Sequence, residues 1–498
     1  MAGNLLHDTL RASSLDRPDA ILAHMPDASV VTYGAFFAEA ERIAAVLIKA
    51  GLQPGDRVAA QVQKTLQALQ LYVGTVMAGG VFLPLNTGYK TSELDHFVND
   101  ATPSVFVCDP ASEAAISDLT GARVLTLDAT GTGSLTDAAA QETPGFDPIA
   151  RSEDDLAAIL YTSGTTGKPK GAMLSHKNLA SNATTLATAW GFTADDVLIH
   201  ALPIFHTHGL FVATNITLVA GSTMIFQPGF NAETILEAMP RATALMGVPT
   251  FYTRLLQLPG LGKASRDIRL FVSGSAPLLA ETHVAWEEAT GHRILERYGM
   301  TETNMNTSNP YDGERKAGTV GMPLPGVEIR LTDGQGTPVS EGEPGIVEVR
   351  GPNVFKGYWN LPEKTAEELL ADGFFVTGDI GEIDKDGYLK IIGRAKDMVI
   401  SGGYNVYPKE IEILIDDQPG VSESAVIGVA HPDFGEGVVA VVVRDGQTSE
   451  AKILDAIAPD LAKYKQPKKI YFVDELPRNT MGKVQKNILR ETYADTFA

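Results

Sequence analysis

Cysteine is almost absent from the sequence: Cys108 is the only one among 498 residues. A disulfide within the chain and a zinc site built from several thiolates are therefore excluded. The longest apolar stretch, VGTVMAGGVFLPL at residues 73–85, is too short and too rich in glycine to span a bilayer as a helix. The N-terminal segment also lacks a long apolar run and carries acidic residues early, which is untypical of a signal or transit peptide. We expect a cytoplasmic protein with no membrane partner.

Basic residues are also few. The chain has 40 Lys and Arg against 61 Asp and Glu, a formal net charge of -21. Such an acidic protein is not expected to bind nucleic acid or an anionic membrane non-specifically. An anionic ligand would need a pocket that is basic only locally. The length of 498 residues predicts two or more domains.

From about residue 154 onwards, short apolar segments alternate with amphipathic ones. LAAILYTSG, STMIFQP, TALMGVP, IRLFVSG and HRILERYG predict strands, and AETILEAM predicts a helix between the second and third of these. This rhythm predicts an α/β fold, in which parallel-rich sheets covered by helices form a large N-terminal domain. The last hundred or so residues predict a small α+β domain. In an open parallel sheet ligands bind beyond the carboxyl ends of the strands, so we expect YTSGTTGKPKG, VSGSAP and RYGMTET to meet at one edge.

The segment YTSGTTGKPKGAMLSH, residues 161–176, is suited to holding phosphate. Hydroxyl side chains alternate with glycines, and two lysines follow. Glycines allow backbone N–H groups to approach an anion closely, while lysines supply positive charge. The spacing is not that of a Walker A loop. A polar surface turn is the alternative, but such turns seldom combine so many hydroxyls, glycines and lysines.

This segment and four others resemble the adenylate-forming superfamily of acyl-CoA synthetases, luciferases and peptide-synthetase adenylation domains. The others are YGMTET, TGD at residues 377–379, GRAKDMVISGGYNVYPKEIE and PRNTMGKVQK, all in the expected order. The resemblance implies two half-reactions. A carboxylate attacks the α-phosphate of ATP to form an acyl-adenylate and pyrophosphate, and the thiol of coenzyme A then displaces AMP. It also implies Mg²⁺, which is commonly held by carboxylates and phosphates.

The resemblance assigns roles residue by residue. Lys483 would reach the attacking carboxylate and the α-phosphate, although a lysine near a C-terminus is more often a solvated charge. Glu302 and Thr166 would hold Mg²⁺, Asp379 the ribose, and Tyr298 the adenine unless it packs in the core. The catalytic set is Lys483, Glu302, Thr301 and His206. The ATP- or AMP-binding set is Thr162, Ser163, Gly164, Thr165, Thr166, Gly167, Lys168, Ser275, Ala276, Pro277, Glu296, Arg297, Tyr298, Gly299, Met300, Thr301, Asp379 and Arg394.

The resemblance further implies a hinge at Lys396, which divides an N-terminal domain, residues 1–395, from a mobile C-terminal domain, residues 396–498. Between the half-reactions Lys483 would leave the site. A tunnel for the pantetheine of coenzyme A would then be lined by Ser401, Gly402, Gly403 and Tyr404. Lysines that match Lys483 are acetylated in some relatives, so the resemblance adds a lysine acetyltransferase and deacetylase to the expected partners.

The acid substrate is indicated by Arg297, which stands where many relatives carry a small or apolar residue. A lone arginine is more often a surface cation. Here, however, Arg254 and Ser275 occupy two other positions that face the acyl group in relatives, and His206, Thr207 and Met305 would complete the pocket. Two guanidinium groups suit a second carboxylate on the substrate. This set resembles malonyl-CoA synthetases, which implies malonate first and methylmalonate second.

Several alternatives remain open on these residues. His206 and His208 in FHTHG could bind a metal, although no cysteine or acidic partner lies nearby in the sequence. The enzyme could activate another short or medium carboxylic acid. It could also load a separate carrier protein, although no carrier domain follows Lys483. A non-catalytic nucleotide-binding protein is the remaining possibility, and the retained Lys483 and Glu302 disfavour it.

Overall fold

The computed structural model describes residues 3–162, 169–401, 404–444, 446–479 and 482–497. These residues form two compact units. The first contains nearly all of the described chain as far as Ile329, together with Val349–Phe375, and the second contains Arg330–Glu348 and the chain from Val376 onwards. The second unit therefore begins before Lys396. The predicted boundary between residues 395 and 396 concerns an expected rotation of the C-terminal domain. Both the boundary and the rotation stay predictions.

The strands follow the apolar segments of the sequence. They are β1 (Ile21–His24), β2 (Val30–Thr32), β3 (Arg57–Gln61), β4 (Val81–Pro84), β5 (Val105–Cys108), β6 (Arg123–Thr126), β7 (Leu156–Thr162), β8 (Lys170–Ser175), β9 (Val197–His200), β10 (Thr223–Phe226), β11 (Ala244–Gly247), β12 (Leu270–Ser273), β13 (Leu295–Met300), β14 (Asn304–Ser308), β15 (Met322–Pro323), β16 (Glu328–Thr332), β17 (Gly345–Arg350), β18 (Phe375–Ile383), β19 (Leu389–Arg394), β20 (Val399–Ser401), β21 (Tyr404–Val406), β22 (Val421–His431), β23 (Gly435–Arg444) and β24 (Lys469–Val473).

The α-helices begin at polar caps in several cases: Thr32, Thr65 and Ser175 each accept a backbone N–H of the first turn. The helices are α1 (Leu5–Arg11), α2 (Tyr33–Lys49), α3 (Leu66–Met77), α4 (Thr91–Ala101), α5 (Glu113–Leu119), α6 (Ser134–Ala139), α7 (His176–Ala189), α8 (Asn215–Ala220), α9 (Ala232–Ala238), α10 (Pro249–Leu255), α11 (Leu261–Ala264), α12 (Ala280–Thr290), α13 (Pro362–Glu368), α14 (Pro408–Asp416), α15 (Glu450–Ile457) and α16 (Lys486–Thr492). A π-helix at His208–Thr214 precedes α8.

The first unit contains a nine-stranded sheet in the order β15-β14-β13-β12-β11-β9-β10-β1-β2. Its six central strands, from β13 to β1, are parallel, and antiparallel strands flank them on both sides. The buried cluster on this sheet includes Trp286, which packs edge-on against Tyr252 and Phe271 with ring centroids 4.9 Å apart in each pair. This packing supports the strand ends that precede the loops of the site.

A separate six-stranded sheet in the first unit has the order β6-β5-β3-β4-β7-β8. Its strands are parallel except for the β7–β8 pair, which is antiparallel. The phosphate-binding segment predicted at residues 161–176 therefore joins two strands of this sheet. The expectation that it meets the other two loops at one edge of a single sheet was wrong. β7 and β8 belong to the six-stranded sheet, whereas β12 and β13, which precede the other two loops, belong to the nine-stranded sheet. The strand patterns are similar in sequence, and only the pairing partners, which are distant in the chain, separate the two sheets.

A four-stranded sheet, β16-β17-β18-β19, lies mainly in the second unit. Its β18–β19 hairpin turns at DKDG, residues 384–387, where the N–H of Asp384 donates to the carbonyl of Tyr388. The second unit also contains the sheet β21-β20-β23-β22, in which β24 pairs with β23. Its core is formed largely by valines and isoleucines of β22, β23, α14 and α15. The predicted fold class, α/β with an additional small α+β domain, is confirmed.

Candidate active site

The motif ERYGMTET, residues 296–303, is mostly a strand and not a turn. β13 continues to Met300, residues 301–303 form the turn, and β14 returns antiparallel from Asn304. Glycine is required at position 299, because a Cβ there would lie 1.9 Å from the carbonyl oxygen of Asn304. The arrangement places Thr301 and Glu302 at the tip of this hairpin and Arg297 within the strand.

Arg297 is buried, with 3% of its surface exposed. Its guanidinium lies across Gly274, where an added Cβ would be 2.3 Å from the Arg297 Cζ. Nε and Nη2 have no hydrogen-bond partner among the residues that the structure describes. Burial lowers the pKa of Arg297 to about 9, so the group is still cationic near neutral pH. A buried cation in this state provides strong attraction for an anionic ligand.

Ser275 follows Gly274, on which this guanidinium packs, in the loop after β12. Its backbone is left-handed, with φ of 70°, and its hydroxyl oxygen is 3.2 Å from Nδ1 of His208. His208 is itself buried, and its Nε2 has no partner within the described parts of the chain. Burial, followed by the nearby Arg297 charge, holds the pKa of His208 well below its ordinary value. The ring is therefore neutral at physiological pH.

Arg254, the second arginine predicted for the substrate carboxylate, is placed differently. It lies in the last turn of α10 and is exposed. Its guanidinium stands 5.5 Å from the centre of the Phe230 ring, in a cation–π arrangement. The structure thus places Ser275 against the buried His208 and Arg297 on the neighbouring Gly274, and it leaves Arg254 exposed.

The predicted walls of the acyl pocket differ in burial. Thr207 and Met305 are buried, and the Thr207 hydroxyl has no partner among the described residues. Met305 packs close to Gly299, where an added Cβ would meet the methionine Cε at 2.7 Å. His206 is half-buried, and its Nδ1 accepts the backbone N–H of His208 over 3.3 Å.

Glu302 is buried and lies in a network of charged groups. The hydroxyl of Tyr358 is 3.0 Å from Oε1 of Glu302 and 2.7 Å from Oε2 of Glu368. Lys170 lies 3.5 Å from Glu368 and 3.9 Å from the centre of the Tyr358 ring. Burial and these carboxylates raise the pKa of the Tyr358 phenol, so its proton is retained. A buried carboxylate oriented in this way fits the binding of a hard cation such as Mg²⁺.

The remaining motif residues of the first unit differ in exposure. Ala276 and Pro277 are exposed, whereas Tyr298, Gly299, Met300 and Thr301 are half-buried. Glu296 is buried, and its Oε1 accepts the N–H of Leu278 at 3.3 Å. Burial raises the pKa of Glu296 to about 8. This side chain fits a structural role under the loop better than contact with a phosphate.

The second unit holds the other predicted site residues. Asp379 on β18 is buried and forms an ion pair with Arg394 on β19, with Nε 2.9 Å from Oδ1. Lys396 is exposed in a short 3₁₀ turn. Ser401 is buried, whereas Tyr404 is exposed and stacks on Tyr464.

Lys483 is exposed in the segment before α16. Its backbone N–H donates to Oδ1 of Asn479 at 3.0 Å, and its carbonyl accepts the N–H of Asn479 at 2.9 Å. These two hydrogen bonds hold the backbone of Lys483 against Asn479.

Some predicted positions lie outside the described residues: Ser163, Gly164, Thr165, Thr166, Gly167, Lys168, Gly402 and Gly403. Thr162 is described, as the half-buried last residue of β7. Within the described ranges no group of three or more His, Cys, Asp or Glu side chains could hold a metal ion, so the metal hypothesis for His206 and His208 gains no support. Across the same ranges no helix is both long and apolar enough to cross a membrane.

Sequence reasoning did not identify three side chains that the structure brings to the site. His208 was considered only as a metal ligand, and Tyr358 and Glu368 were not considered at all. His208 carries a local signal, since FHTHG places it two residues after His206. Tyr358 and Glu368 lie more than fifty residues from Glu302 along the chain, so no local pattern links them to it.

Comparison with known proteins identifies the protein family to which the chain belongs. The AMP-binding enzyme family matches residues 10–359, and the AMP-binding enzyme C-terminal domain matches residues 410–483. The chain belongs to the AMP-binding enzyme family. The resemblance inferred from the five motifs is therefore confirmed.

The similar proteins include ligases for two different acids. A malonate–CoA ligase of Arabidopsis thaliana is 38% identical over 89% of this chain and 79% of its own length. A feruloyl-CoA synthase of an Amycolatopsis species is 37% identical over 93% of this chain and 94% of its own. Among solved structures, ATP-bound MatB from Rhodopseudomonas palustris is 59% identical, covers both chains completely and superposes with a TM-score of 0.98. Ligases for malonate and for ferulate are almost equally similar to this chain in sequence, so overall similarity does not identify the acid substrate. The chemistry of the pocket must distinguish the two acids.

Proposed function

We propose that this protein is an ATP-dependent malonate–CoA ligase. It forms malonyl-CoA through a malonyl-adenylate and releases AMP and pyrophosphate, and it is expected to accept methylmalonate as well. The observation that supports malonate is Arg297, a buried guanidinium with two nitrogen atoms that lack partners among the described residues. The similarity to a malonate–CoA ligase supports the same conclusion.

The pocket chemistry argues for a dicarboxylate. Burying a charge without a partner costs several kcal/mol, and a hydrocarbon or aromatic tail would leave that cost uncompensated. A second carboxylate on the acid would satisfy Arg297 through charge-assisted hydrogen bonds, each contributing about 1.5–3 kcal/mol. Ser275, which follows Gly274 in the chain, is proposed to add a further donor, since the Arg297 guanidinium packs on Gly274. Arg254, though exposed, lies in the segment predicted to face the acid and is proposed to assist.

The first half-reaction brings two anions together, so stabilisation of charge is the main requirement. We assign the α-phosphate to Thr301, the ribose to Asp379 with Arg394, the adenine to Tyr298 and the phosphates to residues 162–168. Glu302, with Thr166, would hold Mg²⁺, which neutralises phosphate charge when it is bound. Lys483 is assigned to the attacking carboxylate, and His206, Thr207 and Met305 to the acyl group.

The second half-reaction uses coenzyme A as co-substrate. In this proposal the chain from Lys396 onwards rotates, and Lys483 leaves the site. Residues 401–404 then line the path by which the thiol of coenzyme A reaches the adenylate. Acetylation of Lys483 would remove its charge and stop adenylation, which would make an acetyltransferase a regulatory partner. A cytoplasmic location is part of the same proposal, in keeping with the single cysteine.

Pyrophosphate release tests the proposal. The enzyme is assayed with ATP, Mg²⁺ and one acid at a time: malonate, methylmalonate, acetate, hexanoate or ferulate. We expect release with malonate and methylmalonate, and malonyl-CoA only after coenzyme A is added. Equal turnover of acetate or hexanoate would refute the dicarboxylate assignment. Thioester formed on an added carrier protein, but not on free coenzyme A, would favour the carrier-loading alternative.

A further inference from the structure

We propose that His208 is a specificity-determining residue. It acts as the Nδ1–H tautomer and fixes the hydroxyl hydrogen of Ser275 toward the distal carboxylate of the acid. This inference rests on the proposed function, because it concerns the group that receives the second carboxylate. The observation that carries it is the 3.2 Å contact between His208 Nδ1 and Ser275 Oγ beside the buried Arg297.

A serine hydroxyl has one hydrogen, so its direction decides what the substrate meets. If Ser275 donated to Nδ1, only oxygen lone pairs would face the ligand, and these repel a carboxylate. If Nδ1–H donates to Ser275 instead, the hydroxyl hydrogen is free to bond the substrate. The pocket then presents donors alone, the guanidinium and the hydroxyl, which suits a carboxylate and disfavours groups that must donate.

The surroundings of His208 favour the second arrangement. The ring is buried and neutral, and its Nε2 has no partner among the described residues. In the Nε2–H tautomer a buried N–H would be unpaired in the field of the Arg297 cation. In the Nδ1–H tautomer a bare lone pair occupies that position, and the positive field stabilises it. The placement of His208 at the start of the π-helix, where its backbone N–H is held by His206, keeps the ring in reach of Ser275.

His200 provides an internal reference with the opposite tautomer. Its Nδ1 is 3.0 Å from Nζ of Lys64, and its Nε2 is 3.1 Å from the carbonyl oxygen of Gly209. A carbonyl only accepts, so the His200 proton must be on Nε2. The two buried histidines are therefore expected to give distinguishable ¹⁵N signals in the same sample.

The first measurement is long-range ¹⁵N–¹H correlation on ligand-free enzyme labelled with ¹⁵N-histidine, with signals assigned by their loss in His208→Asn and His200→Asn. We expect the Nδ1–H pattern for His208 and the Nε2–H pattern for His200. An Nε2–H pattern for His208 would overturn the inference. This result is independent of which acid the enzyme uses.

The second measurement is kinetic. His208→Leu should raise KM for malonate about 10- to 100-fold, as expected for the loss of a hydrogen bond to a charged group, with KM for ATP nearly unchanged. His208→Asn, whose amide N–H can replace Nδ1–H, should restore most of the affinity. In a Ser275→Ala background His208→Leu should have little further effect. An Asn variant as poor as the Leu variant, or a full additional loss in the Ser275→Ala background, would contradict the proposal. Absence of any malonate-dependent turnover in the unaltered enzyme would instead reject the proposed function itself.

Discussion

The phenolic oxygen of Tyr358 lies 3.0 Å from Oε1 of Glu302. The same oxygen is 2.7 Å from Oε2 of Glu368, yet a phenol has only one proton to donate. The two carboxylates therefore compete for one hydrogen.

Tyr358→Phe should weaken the use of Mg²⁺. The variant leaves Glu302 without the hydroxyl that orients it, and loss of such an outer partner typically costs about 10- to 100-fold in metal affinity. The measurement is the Mg²⁺ concentration that gives half-maximal pyrophosphate release at saturating malonate and ATP. Tyr33→Phe is a matched control, because its buried hydroxyl lies 2.9 Å from the carbonyl oxygen of Thr217 and 2.7 Å from that of Ser222, neither of which is assigned to the site. An unchanged Mg²⁺ requirement in Tyr358→Phe would show that Glu302 does not depend on this contact.

Arg297→Met should abolish malonate recognition while sparing the fold. Loss of the guanidinium is expected to raise KM for malonate by about 100-fold or more, since two charge-assisted bonds are removed. The ligand-free enzyme should be at least as stable as before, because the variant replaces a buried guanidinium with an apolar chain of similar length. Two of the guanidinium nitrogen atoms have no hydrogen-bond partner among the described residues. Thermal melts with and without malonate test both statements.

Arg254→Ala is the comparison for Arg297→Met. The exposed Arg254 is expected to give a smaller loss of malonate affinity, since solvent screens its charge. A larger loss from Arg254→Ala than from Arg297→Met would reverse the proposed ranking of the two arginines.

Glu296→Gln should change how stability depends on pH. Burial raises the pKa of Glu296 from its ordinary value to about 8. Between these two values the unfolded chain releases the proton while the folded protein keeps it, so the free energy of unfolding falls as pH rises. Glutamine has no proton to lose and should remove this part of the decline. Denaturant unfolding of the ligand-free protein at several values between about pH 5 and pH 8 gives the slope. Equal slopes for the two proteins would show that Glu296 is ionised throughout.

Lys483→Ala and Lys483→Gln should both stop adenylate formation. Each removes the charge assigned to the attacking carboxylate, so malonate-dependent pyrophosphate release should fall by about 100-fold or more, in line with the loss of one electrostatic donor. Malonyl-adenylate supplied directly should still be converted to malonyl-CoA. Lys452→Ala, which alters an exposed lysine on α15, serves as the control. Normal pyrophosphate release by Lys483→Gln would also remove the case for regulation by acetylation.

The predicted strands and helices agree with the observed ones where the hydrophobic periodicity is strong. They differ where strand pairing decides which sheet a strand joins. STMIFQP, TALMGVP and IRLFVSG contain β10, β11 and β12, and AETILEAM contains α9. The segment after LAAILYTSG was expected at the edge of the same sheet, but β7 pairs with β4 and β8 in another sheet. Local sequence specifies that a strand forms, whereas the partner of that strand depends on residues far away in the chain.

The sequence by itself determined the family and the α/β class, because these are recorded in short motifs whose backbone requirements are local. The residues assigned to ATP come from the same motifs and stay a prediction. The tertiary structure alone decided that Arg297 is buried and Arg254 exposed, that His208 meets Ser275, and that Tyr358 meets Glu302. Burial and hydrogen bonding between distant segments arise only when sheets pack, and they set the charge balance of the pocket. The physical reason is that desolvation, which gives a buried cation its selectivity, is a property of the folded environment and not of the residue type.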